Sequence, residues 1–361
     1  MPERGTQPSA ADPSAPGSGA AETSVPRDPS APESGVAETS APRDLSAPES
    51  GVAETSAPRD QAARPPAEDP GEVTARIADA MRDAGPVLGI DAGGTGTRAA
   101  LVAGGVITRR YSSGPFNFLL SGDGIPRMAA LAKMASPSAV GIGVPGIARE
   151  PRGEAEFAAA VSEACGVPAR VASDATIAWL GAFLGGPGII VMAGTGSVAL
   201  GGTAGALHRV GGHGHLVGDD GGGYWLGREA LRAALAAAEG TGPPTRLGDG
   251  IAAQAGASLD ELVLRVQRSP ADRTVLAGLA PVVARCADDP VAADIVARAA
   301  AALAGMAAAL RQRLGPLSVA GAGGVFAIRP LRAAFWSATA AVEPLAPPEI
   351  GAALLAAGWQ A

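Results

Sequence analysis

Two stretches of this chain share one pattern: an apolar run, a turn rich in glycine and hydroxyl residues, and a second apolar run. The first is VLGIDAGGTGTRAALV at residues 87–102, and the second is GIIVMAGTGSVALGG at residues 188–202. Apolar segments that flank a glycine cluster at this spacing predict a strand, a tight turn and a second strand. One such hairpin is common. Two matched ones predict two related domains, each of which offers a hairpin turn to a shared cleft.

The chemistry of the first turn indicates anion binding. Glycines let the backbone approach an anion closely, and the N–H groups of such a turn can form a concavity for phosphate. Asp91 comes directly before the turn, and a carboxylate at that place can hold a metal ion beside the phosphates. Turns rich in glycine that only reverse the chain are equally common, so this hairpin by itself leaves both interpretations open.

Further features extend the pattern. SVAGAGGVF at residues 318–326 predicts a third strand and glycine turn, followed by a helix over 329–338, and such a backbone can lie flat against a nucleotide. Between the two hairpins, Asp174 in SDATIAWLGAF stands where a predicted strand at 167–171 leads into a helix. An aspartate there often caps the helix. It is also where α/β folds place catalytic groups, outside the carboxyl ends of strands.

Two loops carry other polar candidates. Asn117 lies between two phenylalanines in SSGPFNFLLSGDG, where an amide either caps a turn or binds a polar ligand. The segment GGHGHLVGDDGGG at residues 211–223 holds His213, His215 and Asp219. These three side chains leave a metal site open as an interpretation. The chain has only three histidines and no cysteine near this loop, which disfavours zinc.

Residues 1–75 have a different composition from the rest. They contain 13 of the 31 prolines, no aromatic residue and three copies of a 16-residue repeat, which begin at Asp12, Asp28 and Asp44. Such a segment cannot bury enough apolar surface to offset chain entropy, so we predict a disordered tail. The tail carries a net charge of −8, which leaves residues 76–361 nearly neutral. The folded part therefore gives no electrostatic argument for a nucleic acid or an anionic membrane as partner.

Several classes of protein are disfavoured by what the sequence lacks. Lys133 is the only lysine and lies in no glycine-rich turn, which excludes a Walker P-loop and the protein-kinase set. The turns at Gly93 and Gly321 do not match the dinucleotide-binding pattern, and a GxSxG motif is missing. Two distant cysteines, no secretory signal and no long apolar run predict a cytoplasmic protein with free thiols.

Taken together, the motifs resemble a known superfamily. GIDAGGTGTRAALV, the VPG loop, SDA, MAGTGS, GGHGHLVGDDGGGYWLG and AGAGGVF are similar, in order, to the phosphate-1, connecting, catalytic-aspartate, phosphate-2 and adenosine segments of actin/hexokinase/Hsp70-like ATPases. Within that superfamily, the chain resembles the BadF/BadG/BcrA/BcrD-type ATPases, in their N-acetylglucosamine kinase branch. The resemblance implies an α/β fold with two actin-like (ribonuclease H-like) domains around a central cleft. The domains would span 86–186 and 187–345, with a C-terminal helix within 346–361 that packs back on the first.

The resemblance also implies a reaction and a site. It implies transfer of the ATP γ-phosphoryl group to the 6-hydroxyl of N-acetylglucosamine or glucosamine, with ATP and Mg²⁺ as cofactors. Asp91 would hold Mg²⁺ through water, and Asp174 would be the general base. Residues around the phosphates would be Gly93, Gly94, Thr95, Thr97, Gly194, Thr195, Gly196 and Ser197. Adenosine contacts would be Gly321, Gly323 and Gly324. Sugar-binding residues would be Asn117, Asp174, Thr195, His213 and Asp219.

Departures from the family pattern leave the acceptor open. The sugar loop of the family commonly reads GGWGHxxGDEGS, whereas this chain has His213, Asp220 and Gly222 in place of Trp, Glu and Ser. In the phosphate-1 loop, Gly96 stands where lysine is common. The resemblance implies an amino sugar as the small-molecule partner, neither nucleic acid nor membrane, and a homodimer as the assembly to test.

Two other functions stay open. The first is an activator ATPase that drives an electron into a dehydratase, as relatives in the same group do. Such proteins need a metal cluster bridged by cysteines from both subunits of a dimer, and Cys165 and Cys286 do not form a paired-cysteine motif. The second is a non-catalytic protein that senses a nucleotide or a sugar, which the departures in the sugar loop allow.

Overall fold

Two β-sheets organise the chain in a computed structural model, which describes residues 37–39, 70–93, 96–114, 124–147, 153–269 and 273–359. The strands of the first sheet are β1 (Ala37–Thr39), β2 (Val87–Ala92), β3 (Thr97–Ala103), β4 (Val106–Ser113), β5 (Ala139–Val144) and β6 (Ala169–Ser173). Those of the second are β7 (Gly188–Ala193), β8 (Ser197–Thr203), β9 (Ala206–Gly211) and β10 (Val319–Ala322). Apart from β1 and the residues from Pro70 on, the predicted tail lies outside the described residues.

The two sheets have matching connections. In the first sheet, β2, β3 and β4 form an antiparallel meander, and β5 then pairs in parallel with β2. In the second sheet, β7, β8 and β9 form the same meander, and β10 pairs in parallel with β7. The full orders are β1-β4-β3-β2-β5-β6 and β10-β7-β8-β9. The repeated strand, turn and strand motif of the sequence is therefore present in both sheets.

Helices cover the faces of both sheets. Those near the first sheet are α1 (Pro70–Ala80), α2 (Gly124–Ala135), α3 (Gly153–Cys165) and α4 (Asp174–Phe183). Those that follow β9 are α5 (Gly223–Ala238), α6 (Leu247–Ala255), α7 (Leu259–Arg268), α8 (Arg273–Ala277), α9 (Ala280–Arg285) and α10 (Pro290–Leu314). After β10 come a 3₁₀ turn (Gly324–Ala327), α11 (Arg329–Thr339) and α12 (Pro348–Ala356). The predicted strand at 167–171 begins two residues later, at Ala169.

The last helix, α12, returns to the first sheet and lies directly on it. Leu88 and Ile90 of β2 point to the opposite face, in the cluster that α2 and α3 cover. The face of the sheet that α12 covers carries glycines. A methyl group on Gly89 or on Gly141 would overlap backbone atoms of α12. The missing side chains on this face therefore permit the close approach of the helix.

Helix α4 is shared by both sheets. Its apolar residues form one cluster with Ile190 of β7, Ala320 of β10 and Ala352 of α12. The indole N–H of Trp179 in α4 donates to the carbonyl of Gly188 at 3.1 Å. Because α4 begins at the end of β6, its first residue lies where elements of both sheets meet.

The close contact between α4 and α12 predicts how two glycine substitutions change the stability of the protein. A methyl group on Gly351 would overlap the carbonyl oxygen of Ile177, whereas one on the exposed helical residue Gly305 would meet no atom within 4 Å. We expect Gly351→Ala to destabilise the protein by about 1–3 kcal/mol through overpacking. Gly305→Ala should stabilise it by about 0.5–1 kcal/mol through helix propensity. Urea unfolding of both variants measures this, and equal effects would contradict the packing of α12.

The long helix α10 has the length and composition of a membrane span, which is weak grounds for one by itself. In the structure, one stripe of the helix is buried against the second sheet and its helices. The buried residues are Ala292, Ile295, Val296, Ala299, Ala300, Leu303, Ala307 and Leu310. Their spacing is that of a helix with one apolar face in a protein core. These contacts account for the apolar residues of the buried stripe.

Candidate active site

Asp91 and Asp174 lie at the same edge of the first sheet. Strands β2, β5 and β6 are parallel neighbours, so their carboxyl ends meet there. Across β5, Asp91 of β2 is level with Ala172 of β6, and Asp174 follows two residues later, so the two backbones are roughly 12 Å apart. The charge of Asp91 adds to the burial that raises the pKa of Asp174. The two acids therefore share one electrostatic environment.

The interpretation of Asp174 as the N-cap of α4 is wrong. Ser173 holds that position with an extended backbone, and its hydroxyl accepts a hydrogen bond from the backbone N–H of Thr176 at 3.1 Å. Asp174 occupies the first helical position, and its Oδ1 accepts from the N–H of Ala175 at 2.9 Å. Ser173 therefore holds the N-cap position, and Asp174 satisfies one further N–H group of the first turn.

The environment of Asp174 suits a general base. Burial raises the pKa of this carboxyl, against the opposing effects of the Ala175 N–H and the positive charge of Arg209. A raised pKa brings a carboxylate closer to the range in which it accepts protons efficiently at neutral pH. Arg209 belongs to β9, and its guanidinium donates to the backbone carbonyls of Gly211 and Gly212. The guanidinium of Arg209, on the second sheet, thus lowers the pKa of a carboxylate at the edge of the first sheet.

The second glycine turn is held in place by the start of α5. Within the turn, the N–H of Gly194 donates to the carbonyl of Gly196 at 3.0 Å. The carbonyls of Gly194 and Thr195 accept from the N–H groups of Gly223 and Tyr224, at 2.8 and 2.9 Å. The hydroxyl of Ser197 donates to the carbonyl of Asp220 at 2.7 Å. The four predicted phosphate-2 residues therefore form one supported turn between β7 and β8.

Asp219 packs against this turn. It is 8% exposed, and its Oδ1 accepts from the N–H of Gly214 at 3.1 Å. A methyl group on Gly196 would overlap the other carboxylate oxygen, Oδ2. Asp219 has a φ of 61°, a left-handed conformation that few residues other than glycine adopt. Backbone strain of this kind is often retained at functional sites, and here it aims the carboxylate at the turn.

The histidines of the same loop do not join Asp219 in a metal site. His213 is exposed, and the ring of His215 packs edge-on against Tyr224, with ring centroids 4.7 Å apart. No group of three or more His, Cys, Asp or Glu side chains suited to a metal ion occurs within the described ranges. The histidine-based metal interpretation of this loop therefore finds no support.

The glycines of the predicted adenosine segment lie in two different environments. Gly323 has a φ of 107°, and a methyl group on it would overlap the carbonyl of Ala193, so this segment touches the end of β7 beside the second turn. A methyl group on Gly194 or Gly324 would meet no atom within 4 Å. Open space thus lies in front of both segments. Gly321 differs, because a methyl group there would lie 2.7 Å from the ring of Trp336 in α11.

The first glycine turn is described in part. A methyl group on Gly93 would lie 2.8 Å from the carbonyl oxygen of Gly96, so the turn is tight. Thr97 is buried, and its hydroxyl has no hydrogen-bond partner among the residues that the structure describes. Gly94, Thr95 and Asn117 lie outside the described residues, and their predicted roles stay predictions.

The residues near Asp91 fit Mg²⁺ that arrives with a nucleotide. Asp91 is 8% exposed, and its Oδ2 accepts from Nη2 of Arg98 at 3.0 Å. Burial raises the pKa of Asp91, and Arg98 opposes that effect. In kinases, ATPases and polymerases in general, Mg²⁺ is held by one or two carboxylates together with substrate phosphates. This chain offers that kind of donor set, and no larger acidic or histidine cluster stands in the described parts of the chain.

Three charged residues near the site were not predicted. Arg98 lies directly across the hairpin from Asp91, so the register of the strands was a signal that would have found it. Arg209 acts on Asp174 from another sheet, and Glu349 of α12 acts on Asp91 from a distant part of the chain. Neither of these two residues has a local sequence signal, because the fold alone brings them to the acids.

Comparison with known families decides the family of the chain. The sequence profile of the BadF/BadG/BcrA/BcrD ATPase family matches residues 88–356. The chain belongs to this family. Among curated proteins, an N-acetylmuramic acid/N-acetylglucosamine kinase of Clostridium acetobutylicum is 38% identical over 115 residues. That match spans 31% of this chain and 38% of the relative, so it covers well under two thirds of the curated protein.

Solved structures of the same architecture each match about three quarters of this chain. A candidate N-acetylglucosamine kinase of Chromobacterium violaceum is 27% identical with a TM-score of 0.64, and the match covers 76% of this chain and 99% of that protein. A second candidate, from Porphyromonas gingivalis, is 21% identical with a TM-score of 0.61, over 73% and 96%. A ROK-family glucokinase of Streptomyces griseus, bound to glucose and AMPPNP, is 20% identical with a TM-score of 0.51, over 75% and 99%. The predicted actin-like α/β fold is confirmed.

Proposed function

We propose that this chain is an ATP-dependent amino-sugar kinase with Asp174 as its general base. The observation that carries the proposal is the place of Asp174, at the carboxyl edge of the first sheet and under the influence of Arg209 from the second. The second glycine turn and Gly323 lie next to each other at the corresponding edge of the second sheet, where the parallel strands β7 and β10 end. Family membership and the names of the similar proteins support a sugar kinase that uses ATP.

The proposed reaction needs ATP and the sugar to be held in position, and it needs one group that accepts a proton. The carboxylate of Asp174 accepts the proton of the 6-hydroxyl while that oxygen attacks the γ-phosphorus. The new bond joins the sugar oxygen to phosphorus, the bond from phosphorus to the β–γ bridging oxygen breaks, and ADP leaves. The raised pKa of Asp174 makes its carboxylate a stronger base than an exposed aspartate. Sugar phosphate, ADP and the proton on Asp174 together account for every atom of ATP and the sugar.

Other residues take binding roles in this proposal. The two turns, with Gly93, Gly94, Thr95 and Thr97 in one and Gly194 to Ser197 in the other, hold the phosphates from opposite sides. Gly321, Gly323 and Gly324 form the adenosine segment, and Asn117, Thr195, His213 and Asp219 face the sugar. Mg²⁺, when bound at Asp91, supplies neutralisation of the phosphate charge that develops during transfer.

N-acetylglucosamine or glucosamine is the proposed acceptor. The similar proteins named above include N-acetylglucosamine kinases, and one of them also carries N-acetylmuramic acid in its name. His213, in place of the tryptophan common in the family, is the residue of the sugar loop on which we expect specificity to depend. We further propose two domains at 86–186 and 187–345, a homodimer as the assembly, and a cytoplasmic location without nucleic acid or membrane partners.

A coupled assay of ADP release tests the function. ADP production is measured with N-acetylglucosamine, glucosamine, N-acetylmuramic acid, glucose and N-acetylmannosamine, each with a sugar-free control. We expect stimulation that is largest for N-acetylglucosamine or glucosamine. Nucleotide binding without sugar-stimulated turnover would favour a sensing protein instead. Iron in the purified protein, together with turnover that ignores sugars, would favour the activator ATPase.

A further inference from the structure

Glu349 is a buried glutamate outside every predicted site segment. It lies in the first turn of α12, and only 4% of it is exposed. Its Oε1 accepts a hydrogen bond from Nη1 of Arg110 in β4 at 2.8 Å. Its Oε2 is buried too, and it has no hydrogen-bond partner among the described residues. Within the described part of the chain, half of this carboxylate therefore lacks the positive or polar partner that buried anions normally have.

The carboxylate of Glu349 belongs to the same side of the sheet as Asp91. Side chains alternate between faces along a strand, so Gly89 and Asp91 share the face of β2 that α12 covers. The backbone of Glu349 rests on Gly89, because a methyl group there would overlap its carbonyl oxygen. Positions two apart on a strand are about 7 Å from each other. Repulsion from Glu349 also adds to the burial that raises the pKa of Asp91.

A purely structural role does not account for this arrangement. An acidic residue in the first turn of a helix is favoured by the helix dipole, and Arg110 offsets its charge. Neither partner satisfies Oε2, and a buried carboxylate oxygen without a partner destabilises the fold. A divalent cation would satisfy it. Mg²⁺ prefers carboxylate oxygens, and it takes one or two of them from the protein when phosphates supply other ligands.

We propose that Glu349 is a second acidic residue of the magnesium site, which holds with Asp91 the cation that accompanies ATP. The proposal rests on the proposed kinase function, since the nucleotide completes the set of ligands. It assigns the last helix a part in metal binding, in addition to its packing on β2 and α4.

Binding of Mn²⁺, a paramagnetic substitute for Mg²⁺, tests the proposal without turnover. Electron paramagnetic resonance measures the free cation at saturating non-hydrolysable ATP analogue. Glu349→Gln keeps the size of the side chain and an oxygen for Arg110 but removes the charge. We expect the Kd for Mn²⁺ to rise by about 10- to 100-fold, as for other residues that support a metal site. Glu229→Gln is the matched control, because Glu229 is also a shielded glutamate paired with an arginine, Arg298, at 3.1 Å.

A second variant gives the opposite expectation. Arg110→Gln keeps a donor for Glu349 but removes the positive charge beside it, so we expect Mn²⁺ to bind more tightly, by roughly 3- to 10-fold. A structural ion pair would leave the Kd unchanged in both variants, and that result overturns the proposal even if one variant loses stability.

The outcomes separate this proposal from the proposed function. Wild-type protein that turns over sugar and binds Mn²⁺ as tightly as Glu349→Gln overturns the metal role alone. Protein whose Mn²⁺ affinity responds to both variants but that phosphorylates no sugar supports the metal role and overturns the kinase function. Wild-type protein that binds neither the ATP analogue nor Mn²⁺ overturns both.

Discussion

Asp174→Asn is expected to lower kcat by about 100- to 10,000-fold, the range that a positioned general base contributes. Asparagine keeps the shape of the side chain and an oxygen for the Ala175 N–H, but it cannot accept the proton of the sugar hydroxyl. The variant should still bind sugar, since its other contacts are intact. Initial rates of ADP release and sugar binding by calorimetry measure the two effects, and full activity in the variant would refute the assignment of the base.

The same variant should be more stable than the wild type at neutral pH. Burial raises the pKa of Asp174 in the folded protein, so the folded state binds its proton more tightly than the unfolded state does. The wild type therefore gains stability as pH falls through the raised pKa, and at higher pH it carries the unfavourable charge. Asparagine removes that charge. We therefore expect a higher Tm for Asp174→Asn than for the wild type at neutral pH, measured by thermal unfolding of both proteins.

A pH profile and a control complete this prediction. The kcat of the wild type should fall as pH decreases through a pKa above that of an ordinary aspartate, because the base must be ionised. Asp294→Asn is the control, since this aspartate is 65% exposed on α10 and pairs with the exposed Arg298 one turn along the same helix. Its activity and Tm should match the wild type. A Tm that drops in Asp174→Asn would mean that the carboxylate stabilises the fold.

Gly196→Ala is expected to impair sugar binding through Asp219. A methyl group on Gly196 would overlap the carboxylate oxygen Oδ2 of Asp219, so the carboxylate must move. If Asp219 holds a sugar hydroxyl, the loss of a charge-assisted hydrogen bond raises the KM for sugar by about 10- to 100-fold, equivalent to roughly 1.5–3 kcal/mol. The KM for ATP should change much less.

Gly194→Ala makes the matched comparison within the same turn. A methyl group on Gly194 meets no protein atom within 4 Å, so the variant should fold and melt like the wild type. That open space is where we place the phosphates, and the expected result is a raised KM for ATP with the KM for sugar nearly unchanged. The two variants thus separate nucleotide and sugar effects one residue on either side of Thr195. The same change in both KM values would contradict the division of the turn.

Local patterns of the sequence predict most of the fold around the site. The hairpins at 87–102 and 188–202 could be predicted because apolar runs and glycine clusters alternate there without competing signals. The place of Asp174 after a strand was predictable for the same reason. Which of two neighbouring polar residues caps α4 was not, since Ser173 and Asp174 are both good caps, and only the backbone conformation selects Ser173.

Contacts between distant parts of the chain could not be predicted from the sequence. Arg110 and Glu349 form an ion pair across 239 positions, and the approach of α12 that allows it depends on glycines in two strands. The positive charge of Arg209 lowers the pKa of Asp174 because α4, which begins at Asp174, packs between the two sheets. Neither feature leaves a periodic pattern or a spacing that a single sequence reveals, because each depends on which elements become neighbours in the folded chain.

The identity of the product shows directly whether this protein phosphorylates a sugar. Wild-type protein is incubated with MgATP and N-acetylglucosamine, and the mixture is analysed by mass spectrometry and by phosphorus–proton correlation NMR. We expect a sugar monophosphate with its phosphorus coupled to the protons at carbon 6, formed in step with ADP and at least about 100-fold more slowly by Asp174→Asn. Inorganic phosphate as the only phosphorylated product besides ADP, with the sugars of the panel unchanged, would contradict it.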